Sequence, residues 1–429
     1  MKFRPFVDLP EELSDEHLGE FRLQTLEEED PAQALDHYLK ASRTVDQADD
    51  PELAAAFALR IAHGILAVRP GDLKALSQAI ESFELAESLL GKESDRNLKI
   101  EAAESLADAL LERAQFGRPE DLDHAIDKYS MLLSSLDGQA ESEARGDCLN
   151  NLGYAYWWRA SLRNSQVNTD SKSSASDIEK ALEAHRLALR IRRRSIDPIG
   201  WAESSINLGL AYADRPGSRV QNLEKAIIYC ERALTELDPE TTPVIWAIGT
   251  MNLALAYWDR LRGERASNLE RALALLERAL PTLEQGDPVD WAFAQNNLGL
   301  IYWDRLEGNR ADNLERAVTA FERALSVTRR DVWPRRWAIF TMNLGKAIRE
   351  KLRDDRTENM ERALRLFESA LEELEPGSRD WARVQNHLGV TYSERLHGDP
   401  DENLRAALVA HEQALEVLVE DRDPLWSGP

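Results

Sequence analysis

Apolar residues recur along this chain at the three- and four-residue steps of amphipathic helices, and polar turns interrupt them at near-regular intervals. The pattern is plainest between Trp291 and Leu325. Trp291, Ala294, Leu298 and Tyr302 mark one helix face, and Leu314, Ala317, Phe321, Ala324 and Leu325 mark a second. Asp312 and Asn313, with Glu315 in the first turn, give the second helix its start signal. The spacing predicts two helices joined by a polar turn. Neither could bury its stripe alone, so the unit needs neighbours of its own kind.

The chain supplies them. On the second helix a small residue is followed four positions later by a large one, and three after that by another small one. This occurs as Ala34/Tyr38/Ala41, Ala79/Phe83/Ala86, Ala125/Tyr129/Leu132, Ala181/His185/Ala188 and Ala226/Cys230/Ala233. It continues as Ala272/Leu276/Ala279, Ala317/Phe321/Ala324, Ala363/Phe367/Ala370 and Ala407/His411/Ala414. Successive first residues are 45, 46, 56, 45, 46, 45, 46 and 44 apart. On the first helix, Asn-Leu-Gly or a near copy stands at Asn151, Asn207, Asn252, Asn297, Asn343 and His387. Seven residues before each of the last five leucines lies Trp201, Trp246, Trp291, Trp337 or Trp381, and seven after lies Arg215, Arg260, Arg305, Lys351 or Arg395. Positions two turns apart share a face, which assigns these tryptophans to the core beside the leucine. The glycine, poor in an isolated helix, is expected where another helix approaches closely. The basic residue is expected to organise the turn by reaching an Asn-Leu-Glu segment.

These marks resemble the tetratricopeptide repeat, whose Leu-Gly and Tyr on the first helix and Ala, aromatic, Ala on the second match Leu298, Gly299, Tyr302, Ala317, Phe321 and Ala324. The usual repeat is about 34 residues. The copies here are longer, with an extended turn of the form R-L-x-G-x-R-x-x-N-L-E, and in this they resemble arrays that precede CHAT domains, the caspase-like protease modules. The resemblance implies an all-α solenoid, a right-handed TPR-like superhelix of about nine helix-turn-helix pairs, spanning 1–429 as one domain. Within it, 1–92 read as degenerate N-terminal repeats, with Leu18-Gly19 as a first-helix mark and Ala54 to Leu66 as a helix without its motif. Residues 93–420 read as regular repeats, the Ser/Asn/Asp-rich 160–176 as a mobile surface insert, and 421–429 as a flexible tail. No polar closing helix follows Ala414. Either Leu425 and Trp426 fold back over the last unit, or that uncapped C-terminal end meets a second copy as a homodimer.

Charge narrows the partners. Lys and Arg total 53 against 77 Asp and Glu, a net charge of −24, which disfavours nucleic acid and an anionic membrane surface. Basic clusters at Arg190 to Arg194, Arg329/Arg330 and Arg335/Arg336 leave room for a small anion or an acidic peptide. Two cysteines, Cys148 and Cys230, are too few for a disulfide framework and fit a reducing compartment. The N-terminus has no apolar core of the signal-peptide kind, and no run of apolar residues approaches a membrane span. A cytoplasmic location is therefore expected.

Catalytic signatures are missing: there is no His-Glu-x-x-His, phosphate loop, dinucleotide fingerprint or Cys-x-x-Cys. No catalytic residue, metal or cofactor is predicted, and His185, His411 and Cys230 read as packing residues in the slot Phe321 fills elsewhere. A CHAT protease would need an α/β domain with a His/Cys pair, and no strand-like segment is left to build one. The resemblance instead implies a ligand along the concave face formed by the first helices. Carried over residue by residue, that face comprises Asn150, Tyr154, Trp157, Trp158, Asp214, Met251, Leu255, Trp258, Asp259, Phe293, Asn296, Trp303, Asp304, Lys346 and Arg349. Trp258 and Trp303 stand one repeat apart and are expected to form one wall, helices packing about 8–10 Å apart. Asp214, Asp259 and Asp304 form an acidic ladder beside them, and Lys346 and Arg349 reverse the sign. Such a groove suits a partner segment that is apolar in its middle, with a basic group near the ladder. The competing expectation packs the two indoles between adjacent helices and pairs the aspartates with neighbouring arginines. The expected function is a non-catalytic scaffold binding a protein or peptide partner. Two alternatives stand beside it: a regulatory or sensor subunit of a separately encoded CHAT-type protease or other effector, and an enzyme or small-molecule sensor using a Trp/Asp/Arg-lined cavity.

Overall fold

The computed structural model describes residues 31–420, apart from 44, 46, 48, 70, 137–142, 166–170 and 352–354. Among the described residues there are seventeen α-helices and no β-strand. They fall into two compact units, divided at residues 140/141.

The first unit holds α1 (Pro31–Ser42), α2 (Pro51–Val68), α3 (Leu73–Leu89), α4 (Arg96–Gln115) and α5 (Asp121–Ser135). Aspartates start three of these helices: Asp50, Asp72 and Asp95 each accept from backbone N–H groups of the first turn that would otherwise lack a partner. α2 pairs with α3 and α4 with α5, while α1 packs on α2. Leu18-Gly19 lies outside the described residues. α2 is 18 residues long and, by length and composition alone, apolar enough to cross a membrane. Its packing gives it a different role: Arg60 is buried and pairs with Glu101 at 2.8 Å, and Ala55, Leu59 and Ala62 are fully buried in this unit.

The second unit contains six helix pairs. They are α6 (Glu143–Ser165) with α7 (Ser171–Ile191), α8 (Pro198–Ala213) with α9 (Arg219–Leu234), α10 (Pro243–Asp259) with α11 (Arg265–Glu284), α12 (Pro288–Asp304) with α13 (Arg310–Val327), α14 (Pro334–Arg349) with α15 (Arg356–Leu371), and α16 (Arg379–Glu394) with α17 (Pro400–Glu420). The loop expected over 160–176 is largely helix. Most of the extra residues lengthen α6 and α7, and the two are tied together by Ser174, whose hydroxyl donates to the Ala160 carbonyl, and by Arg159 and Arg163 on the buried Asp177. Of that stretch only 166–170 lie outside the described residues, as do 421–429 with Leu425 and Trp426.

Close approach explains the first-helix glycine. A methyl group on Gly299 would lie 2.5 Å from the Phe321 ring, on Gly345 2.7 Å from Phe367, and on Gly153 2.7 Å from His185. The large residue of the second helix thus sits where the first helix has no side chain. In the α10/α11 pair, Ala254 takes the glycine position and Leu276 replaces the aromatic ring.

The basic residue that follows joins units together. Arg215, Arg260, Arg305, Lys351 and Arg395 pair with Glu179, Glu224, Glu270, Glu315 and Glu361, each the acid near the start of the preceding unit's second helix. Arg305 and Arg395 also donate across the turn that follows them, to Asn313 and Asn403 in the first turn of the next helix. The connecting turn passes through Gly263, Gly308 and Gly398 at φ of +78°, +79° and +88°, a left-handed conformation that side chains disfavour.

Candidate functional site

Neighbouring first helices of the second unit touch one another, and second helices do not do so comparably. This unit therefore curves with α6, α8, α10, α12, α14 and α16 on its inner side. The curvature brings α6 against α16. It also places the Arg336 guanidinium of α14 over the rings of Phe293, at 4.9 Å, and of Trp158 on α6, at 5.2 Å. Burial pulls the Arg336 pKa down to about 10.

The inner face divides by burial. Asn150, Met251 and Asn296 are buried and offer little surface. The two asparagines have a packing role: Asn207 donates to Asn150 at 3.1 Å and Asn343 to Asn296 at 2.9 Å, tying each first helix to an adjacent one. Tyr154, Trp157, Trp158, Leu255, Trp258, Phe293, Trp303, Lys346 and Arg349 are half-buried, with Trp157, Trp258, Phe293 and Trp303 packed along one side against the core. Tyr154 stacks obliquely on Trp157, and Trp157 on Trp158.

The acidic ladder is largely neutralised within the chain. Arg219 pairs with Asp259, Arg265 with Asp304 and Arg310 with Glu350, each arginine at the start of a second helix reaching the acid that ends the next first helix. Indoles reach forward in the same way: Trp157 Nε1 donates to Asp214 at 2.7 Å and Trp258 Nε1 to Asp304 at 2.8 Å. Trp258 and Trp303 therefore meet different neighbours, since Trp303 lies under Lys346, whose Nζ is 4.2 Å from its ring centre. Beside Trp303 opens a hollow of about 480 Å³ lined by Asp304, Arg305, Leu306, Arg310, Asn313 and Glu350.

The helix-start tryptophans sit at the edge of the core they were expected to join, Trp201, Trp246 and Trp291 in or against one buried cluster and Trp381 against another. Trp246 is buried, but Trp201, Trp291, Trp337 and Trp381 are half-buried. Arginines cover Trp201, Trp246 and Trp337 by cation–π contact from Arg194, Arg278 and Arg330. This consumes much of the basic clusters seen in the sequence. Arg192 is buried on Asp147 and Glu203, Arg194 holds Glu236, Arg330 holds Glu372 and Glu373, and Arg335 holds Asp380. Arg336 is the functional candidate that sequence reasoning left in a general basic cluster. Its proximity to Trp158 depends on how far the stack curls, and no local motif encodes that.

His185 and Cys230 are buried in the packing slot. Burial lowers the His185 pKa to about 3 and raises that of Cys230 to about 12, so both are neutral at pH 7. Among the described residues, no group of three or more His, Cys, Asp or Glu side chains is placed to hold a metal ion.

The repeats and their stacking define a TPR-like α-solenoid repeat protein. The Sel1 repeat model matches residues 18–43, 202–235, 247–280, 292–324 and 342–373. No curated protein matches the sequence. Among solved structures, the chain is similar to the apo form of the quorum sensor NprR from B. thuringiensis, at 14% identity and a TM-score of 0.52, covering 90% of this chain and 98% of that one. It is also similar to a Rap protein complexed with competence and sporulation factor, at 14% identity and a TM-score of 0.48, covering 87% and 90%. A tetratricopeptide repeat protein from Parabacteroides merdae ATCC 43184 matches at 15% identity and a TM-score of 0.43, covering 82% and 98%.

Proposed function

We propose that the inner face of the second unit captures an extended peptide or protein segment and performs no chemistry on it. The observation that carries this reading is the run of half-buried Trp157, Leu255, Trp258, Phe293 and Trp303 along helices that curve around a hollow. Large apolar side chains gathered in a concavity, with a few polar groups among them, are what a binding groove requires. The fold is shared with a protein described as a quorum sensor, which is compatible with a role in holding a small signal. The neutralised acidic ladder changes the ligand expected from sequence: a basic group in the partner has little free carboxylate left to meet.

Peptides selected from a random display library against the protein test this reading. Selected peptides should bind the wild type and lose tenfold or more in affinity to Trp258→Ala combined with Trp303→Ala, the melting curve being read in parallel. Leu255→Gln, a milder change on the same face, should weaken them severalfold without unfolding the chain. Peptides that bind all three proteins equally would contradict the reading.

A further inference from the structure

Exposed leucines recur at one place in the repeat. Leu261, Leu306 and Leu396 each follow a clasp arginine and precede a left-handed glycine, and they are 59%, 64% and 65% exposed. Apolar residues scattered over a surface call for no explanation, but these three hold equivalent positions in turns of fixed shape. The arginine before each is tied to the preceding unit. The Asn268, Asn313 and Asn403 amides donate to the carbonyls of Arg262, Glu307 and His397 at 2.8, 2.8 and 2.9 Å. Closing such a turn does not require leucine, since Pro216 follows Arg215 in the α8/α9 pair. Stacking therefore sets the leucines along one edge of the second unit, beyond the ends of the first helices; Leu352, next in the series, lies outside the described residues. The hollow beside Trp303 opens on this edge, with Leu306 and the Trp303 ring as its apolar walls.

The edge is also acidic. Glu264, Glu307, Glu358 and Glu402 stand exposed in these turns or in the helix starts that follow, and enter no ion pair among the described residues. The arginines that start the same helices, Arg265, Arg310 and Arg356, are held by Asp304, Glu350 and Glu394. Against the free acids the turns themselves offer Arg262 and His397. Spacing then selects the form of what binds. Neighbouring first helices touch, so equivalent residues of successive units lie about 8–10 Å apart. A helix carries residues seven apart on one face at about 10.5 Å, whereas a strand repeats a face at about 6.6 and 13 Å. We propose that this edge docks an amphipathic helix of a partner protein, with an apolar residue at every seventh position and lysine or arginine beside it. One apolar side chain enters the hollow between Leu306 and Trp303, and the flanking cations meet Glu264 and Glu307. A second copy of this chain suits the edge poorly, because it would bring the same negative charge to it. This surface is distinct from the groove and does not depend on it.

Fluorescence anisotropy with a labelled peptide of three heptads tests the edge, leucine standing at every seventh position among alanines and lysines. One control shuffles the same residues so that the leucines fall on different faces, and a second replaces lysine by glutamate. The ordered peptide should bind about tenfold or more tightly than the shuffled one, added salt should weaken it, and the glutamate peptide should not bind. Leu261→Gln with Leu306→Gln, at exposed turn positions, should erase the preference while the melting curve stays in place. Glu264→Gln with Glu307→Gln should weaken binding severalfold, and Leu255→Gln, on the inner face, should leave it unchanged. Equal binding of the ordered and shuffled peptides would overturn the proposal, as adhesion by charge alone. A preference that survives the leucine variant would overturn it, and so would one lost with Leu255→Gln, which would seat the peptide in the groove. Absence of binding by all three peptides would overturn it as well.

Discussion

Arg305 closes its guanidinium on Glu270 with two hydrogen bonds, of 2.7 and 2.9 Å, so the end of one repeat's first helix is held by the second helix of the repeat before it. The same pairing recurs at five successive junctions, which makes it the polar clasp of the stack. Glu270 is partly exposed, so the pair falls between a surface bridge and a buried one. Arg305→Gln should cost about 1 kcal/mol in urea unfolding at pH 7. The Arg305 hydrogen bond lowers the Glu270 pKa, so the pair's contribution is complete above the ordinary carboxylate range and is lost as pH falls through the lowered value. Wild type and variant should converge in acid.

Gly299 and Phe321 are coupled by contact. Gly299→Ala should destabilise by about 1–3 kcal/mol, because its methyl group would overlap the ring. The α10/α11 pair already carries the alternative, Ala254 with Leu276. Adding Phe321→Leu should therefore recover part of the loss. A double-mutant cycle should show the two changes to be less than additive in cost.

His185 is fully buried, and both ring nitrogens lack partners. Its pKa is about 3 in the fold against 6.5 for the free side chain. Between those values the unfolded chain binds the extra proton, so wild-type stability falls as pH drops from 6.5 toward 3. His185→Phe supplies the ring that Phe321 and Phe367 already place against a glycine. It should be at least as stable at pH 7 and gain on the order of 2–3 kcal/mol over wild type at pH 4, as read by denaturant titration across that range.

α17, the last described helix, carries exposed leucines on one face. Leu404 and Leu408 are 56% and 54% exposed, whereas the equivalent Met360 and Leu364 are 1% and 4% exposed beneath the following unit. Leu415, at 59%, continues the stripe. We propose that a second copy covers these exposed leucines. Light scattering should give a dimer that Leu404→Gln with Leu408→Gln converts to monomer; a wild-type monomer at tens of micromolar would contradict this.

How much of this the sequence disclosed follows from the range of each interaction. Helix pairing, the glycine notch and the turn rest on contacts within one period, and Gly299, Phe321 and Gly308 carry them as repeated residue types. The clasp was legible in kind: Arg305 reaches an Asn-Leu-Glu segment as expected, Asn268-Leu269-Glu270 of the preceding copy, and only the choice of copy was beyond the sequence. Neutralisation of Asp259 and Asp304 by neighbouring arginines was the competing expectation, and Arg219 and Arg265, some forty residues away, fulfil it. Of the loop expected at 160–176, residues 160–165 and 171–176 are helix, held where Ser174, and Asp177 just beyond, find partners across the pair. Arg336 over Trp158 depends on stack curvature, which accumulates from small packing rotations that no single repeat shows.

The most direct measurement of the central claim is a crystal structure of the protein with a library-selected peptide bound. The account predicts density for the peptide along the inner faces of α8 to α14, with side chains against Trp258 and Trp303. A peptide seated on the outer helices, with the inner hollow unchanged, would contradict it.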